Sequence, residues 1–94
     1  STTPVDTATD SNSAFSVLID VPARGFAVGV AHSFGNSTHA WTGLTEDYDV
    51  YMNDTNDGVG GFGSHQSIPG ETNRTVTSNA GASNSAVTVV SFGP

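Results

Sequence analysis

The chain has 94 residues, a formal net charge of −7, no lysine, no cysteine and two arginines, Arg24 and Arg74. Neutralising phosphates takes several basic side chains, so the composition argues against nucleic acid and anionic membrane surfaces as partners, and the missing lysine removes the P-loop and Schiff-base chemistry. A chain this short makes one domain with a thin core; with no disulfide possible, sheet packing, a metal or a partner chain must hold it.

No stretch approaches the ~18 apolar residues of a membrane span. The opening residue is the polar Ser1, which is the expectation for a mature secreted form. Ser, Thr, Gly and Asn dominate, as in surface-exposed β-proteins, so an extracellular or cell-surface location is expected. Asn36, Asn53 and Asn73 each open an N-x-S/T sequon and are candidate glycosylation sites.

Residues 1–14 read as a polar arm with Val5 as its single branched apolar residue. The arm is either a loose terminus or a strand that pairs with a neighbouring subunit. Residues 15–94 read as a single β domain. In "FSVLIDV", Phe15, Val17, Ile19 and Val21 alternate with Ser16, Leu18 and Asp20, which predicts a strand that Pro22 ends. "FAVGVAH" follows, with Phe26, Val28, Val30 and His32 on one face and Ala27, Gly29 and Ala31 on the other. The small face lets another layer approach, which predicts a central strand, paired with the preceding one as a hairpin.

"HAWTGL" and "YDVYM" predict a third and a fourth strand. Asn53 to Asn73 reads as a long loop with a short strand near Phe62. "RTVTS" is a weak fifth strand, and "SAVTVVSF" the strongest β run. No helical period appears. The expected fold is all-β, an antiparallel β-sandwich or small barrel of about six strands.

Several residue groups could carry chemistry. Gly58, Gly60 and Gly63 match G-x-G-x-x-G, but Pro69 and Gly70 deny the helix that a dinucleotide site needs. Glu46, Asp47, Asp49, Asp54 and Asp57 place five of the nine acids in one short segment, and calcium takes such hard oxygen ligands. The twelfth position of an EF-hand loop is Ser64 here rather than Glu, so any calcium site is a looser one. His32 and His39 flank a turn, a weak signal for zinc or copper. Trp41, Tyr48 and Tyr51, with Phe62, could stack sugars, although a lone Trp is more often a core residue. G-x-S-x-G is absent, and no nucleophile–base pattern stands out, so enzyme activity is not expected.

The reading is a structural subunit of an extracellular assembly, a pilus-like filament or surface layer, built by β-strand pairing between subunits. Self-association is its expected partnership. The alternative is a secreted carbohydrate- or calcium-binding module, with calcium as its cofactor. A calcium titration tests the alternative. If the acidic segment binds, saturation at 100-fold over Kd adds about 2.7 kcal/mol, and Asp54→Ala or Asp57→Ala lowers the melting temperature only when calcium is present. A wild-type melting curve that ignores calcium ends the calcium reading.

Overall fold

A computed structural model describes residues 3–11, 14–34, 40–51, 59–79 and 83–94, with no helix among them. The strands are β1 (Pro4–Asp10), β2 (Ala14–Val21), β3 (Gly25–Phe34), β4 (Ala40–Thr42), β5 (Thr45–Tyr51), β6 (Val59–Ser67), β7 (Glu71–Asn79) and β8 (Ser83–Phe92). They form a five-stranded sheet in the order β1-β8-β3-β6-β5 and a three-stranded sheet in the order β2-β7-β4. Every pairing is antiparallel, and the two sheets pack together as a small sandwich. The fold is therefore all-β as expected, with eight strands rather than about six.

The two additional strands are β1 and β6. The polar arm contributes β1, which pairs with β8 of its own chain from Pro4↔Phe92 to Asp10↔Val87. The expected loop contains β6, nine residues long where only a short strand near Phe62 was expected, because glycines at 60, 61 and 63 had erased the alternation. The expected hairpin of β2 with β3 does not form. β2 belongs to the small sheet and β3 sits at the centre of the large one. The Pro22–Gly25 turn carries the chain between layers, with Arg24 at φ 58° and the Gly25 N–H donating to the Pro22 carbonyl at 2.8 Å. β3 and β4 also lie in different sheets, so the two strands do not pair as a hairpin.

The core draws bulky residues from the small sheet and small ones from the centre of the large sheet. Val17, Ile19 and Val21 of β2 and Val76 of β7 meet Ala27 and Ala31 of β3, Val87 and Val89 of β8, and Leu44. On β3 and β6, Gly29 pairs with Gly63 and Ala31 with Gly61. Trp41 and Leu44 fill the room that these residues leave. A Cβ on Gly29 would stand 2.5 Å from Leu44 Cδ1 and 3.0 Å from Trp41 Cη2, and one on Gly63 would stand 3.1 Å from Leu44 Cβ. Because strands alternate, the large residues of β3 and β6 point away from the core. Phe26, Val30 and Phe62 are 40%, 47% and 42% exposed.

Register sorts the connections between two poles. Pro4, Phe26, Gln66 and Phe92 lie together at one pole, with the β2–β3 turn. Asp10, Ala14, Phe34, Tyr51, Val59, Asn79 and Ser83 end their strands toward the other.

The β4–β5 link crosses closest to β7 at Gly43. Its φ is 90°, and a Cβ there would run into the Thr75 carbonyl oxygen. Left-handed strain on a non-glycine residue costs about 1–3 kcal/mol, and the clash adds to it. Gly43→Ala is expected to lower the melting temperature by at least about 5 °C, read by thermal circular dichroism. An unchanged midpoint would mean that the link stands off from β7.

Candidate functional site

A sheet edge carries unpaired N–H and C=O groups and can template another strand. The sandwich has four such edges: β1 and β5 on the large sheet, β2 and β4 on the small one. Each is blunted in its own way. β4 is three residues long. β5 has a register shift between Glu46 and Tyr48, and Glu46 and Asp47 are exposed beside it. β1 and β2 guard each other.

That mutual guard follows from alternation along β1. Val5, Thr7 and Thr9 are exposed, while Asp6, Ala8 and Asp10 are half-buried on the side facing the core. Ala8 packs against the core cluster. The two aspartates reach the backbone of β2. Asp6 Oδ1 accepts from the Thr7 N–H at 2.9 Å, and its Oδ2 accepts from the Asp20 N–H at 2.8 Å. Asp10 repeats the pattern, with Oδ1 accepting from the Ser11 N–H at 2.8 Å and Oδ2 from the Ser16 N–H at 3.3 Å. Two carboxylates thus occupy amides on the open edge of β2, where no strand pairs.

Asp20 is the junction of this corner. The β2–β7 register shifts between Ile19 and Val21, leaving Asp20 at a bulge. Its N–H donates to Asp6, its carbonyl accepts from Ser91 Oγ at 2.6 Å, and its Oδ1 accepts from the Asn73 N–H at 2.7 Å. Asn73 takes a φ of 54° to present that N–H. One residue therefore ties β2 to β1, β8 and β7.

The residues singled out in the sequence are dispersed. Glu46, Asp47 and Asp49 lie on β5; the Asp49 side chain, Asp54 and Asp57 fall outside the described residues. Among the described residues no three His, Asp or Glu side chains converge as a metal site would require. His32 is exposed on β3, and His39 lies outside the described residues. Trp41 is half-buried against Gly29 and Gly63, on the inner side of the large sheet, whereas Phe62 is on its outer side. The structure does not bring those two rings together, and the side chains of Tyr48 and Tyr51 lie outside the described residues. Asn73 is exposed, while Asn36 and Asn53 lie outside the described residues.

One polar cluster escaped the sequence reading. Glu71 accepts from Arg74 Nη1 with both oxygens at 2.9 Å and meets His65 Nε2 at 3.1 Å, while Arg74 Nε donates to the Gly43 carbonyl at 2.7 Å. The cluster joins β6, β7 and the β4–β5 link, which is a packing role. The scarcity of basic residues was the available signal, since one of only two arginines is placed here. An open cleft of about 350 Å³ lies between Val5, Asp20, Pro22, Pro69 and Glu71.

Comparison with known protein families, curated proteins and solved structures finds no match. No helix among the described residues is long and apolar enough to cross a membrane.

The carboxylate guard has a direct readout. In Asp6→Ala the Asp20 amide proton should exchange with solvent markedly faster, and in Asp10→Ala the Ser16 amide should do so, because each loses its acceptor. Amides of β2 that pair with β7 should keep their protection. Unchanged exchange at Asp20 and Ser16 would show that the carboxylates do not cap them.

Proposed function

We propose that the chain is a structural subunit of an extracellular assembly in which β1 of one copy pairs with β8 of the next. One observation carries the reading: β1 is held to its own domain by the β8 ladder and two carboxylate clips, with only Ala8 of its side chains against the core. Main-chain pairing is the same whichever copy supplies the strand. The connector to β2 is short, residues 11–13, and short hinges favour exchange of an element between copies. The other edges are capped, short or acidic, so β8 is the edge on which a neighbour's strand fits once its own β1 leaves. A head-to-tail exchange that does not close on itself grows into a filament. The secreted location rests on the composition: hydroxyl-rich, lysine-free and acidic.

The test compares the full chain with a chain lacking residues 1–10. The full chain should grow beyond a dimer with concentration in sedimentation velocity. The truncated chain should stop growing and should bind a synthetic peptide of residues 1–10, which also shows that it has folded. Equal growth of the two chains, or a full chain that stays monomeric, overturns the reading.

A further inference from the structure

We infer that the outer face of the large sheet is a self-association surface, on which a second copy of this chain packs sheet to sheet. The face is built by three neighbouring strands. β3 supplies Phe26, Val28 and Val30, β6 supplies Phe62, and β8 supplies Val90 and Phe92, brought side by side by the pairs Phe26↔Phe92, Val28↔Val90 and Val30↔Phe62. Phe26 and Phe92 stack with centroids 5.3 Å apart at 25°. Bulky apolar residues stand outside here because the inner side of β3 and β6 is glycine and alanine, filled by Trp41 and Leu44. Phe26, Val30 and Phe62 are 40%, 47% and 42% exposed, and exposed apolar rows of this kind mark interaction surfaces.

Charge selects the occupant. The chain carries −7, so two copies repel wherever their acids face each other. Asp6 and Asp10 turn to the β1–β2 corner, Asp20 and Glu71 lie on the small sheet, and Glu46 and Asp47 lie on β5 at the far margin. Across β1, β8, β3 and β6 the outer face offers Thr7, Thr9, Thr88, Ser64, Gln66 and His32 around the apolar row, and no carboxylate among the described residues. It is the broad surface on which two such acidic molecules meet without like charges opposed.

Aromatic residues surrounded by hydroxyl and amide groups match the make-up of protein–protein interfaces. Two copies related by a two-fold axis would bury the same patch from both sides, with Val30 near the middle and the sheets about 10 Å apart. This contact closes on itself and is independent of strand exchange through β1.

Sedimentation velocity on the full chain tests it, with Val30→Asp and Phe62→Ser as face variants and Leu18→Asp as control. Leu18 is 54% exposed on the small sheet, away from the face. Residues so exposed can be changed without emptying the core, and unchanged melting curves confirm that each variant folds. The expected result is a doubling of mass that the wild type and Leu18→Asp share and both face variants lose, the association left to those variants being that of strand exchange through β1 alone. In the chain lacking residues 1–10, the doubling should persist while growth beyond the dimer is lost, which separates this surface from strand exchange. A wild type monomeric up to about 1 mM overturns the inference and leaves the face to a different partner or to a further segment of a longer chain. Face variants that associate as the wild type does overturn it as well.

Discussion

Two sheets can close on one another only as far as the side chains between them permit. In this molecule the limit is set where Gly29 meets Gly63 and Ala31 meets Gly61. The missing side chains leave a trough along the large sheet, and Trp41 with Leu44 lies in it. The small sheet then contributes the valines and the isoleucine that seal the rest. No disulfide is available, so side-chain packing of this kind must hold the layers together. Its consequence is an exchange of roles: the row that would ordinarily line a core stands on the outside of β3, and an aromatic from the shortest strand takes its place.

The acidity of the chain acquires a structural meaning at the β1–β2 corner. A carboxylate can accept several N–H donors at once, and strand edges are rows of N–H groups that need acceptors. Asp6 and Asp10 serve in this way and join β1 to β2, which do not otherwise pair, while Asp20 accepts from Asn73 at the bulge between β2 and β7. These three acids lie outside the cluster that invites a calcium reading. The same composition that argues against phosphate partners thus supplies the acceptors that finish the sandwich.

Regular alternation made part of this legible from the residues alone. β2, β3 and β8 follow from their branched and aromatic periodicity, and the small face of β3 correctly pointed to a central position. β6 was legible only as a short strand near Phe62, because glycine carries no hydropathy signal, although its glycines are what the indole of Trp41 rests on. β1 was hidden for the opposite reason: its inward positions are two aspartates and an alanine, which look like solvent-facing residues until their hydrogen-bond partners on β2 are seen. Pairing was misjudged where neighbours in sequence cross between layers, at the Pro22–Gly25 turn and between β3 and β4. A turn signal gives the reversal of the chain but not the sheet that it enters. The cluster of Glu71, His65 and Arg74 depends on that layering, so no spacing rule could have assembled it.

The pairing Pro4↔Phe92 sets the first residues of β1 beside the last of β8, at one pole. A pull applied between them would therefore act across the ladder, not along it. The rungs would then carry the load one after another, as in a zipper, and β1 would peel from Pro4 toward Asp10. A pull between Pro4 and the opposite pole would instead run along the strands and load many rungs together. The molecule is thus mechanically anisotropic: the direction of a force, more than its size, decides whether β1 lets go while the sandwich behind it stays shut.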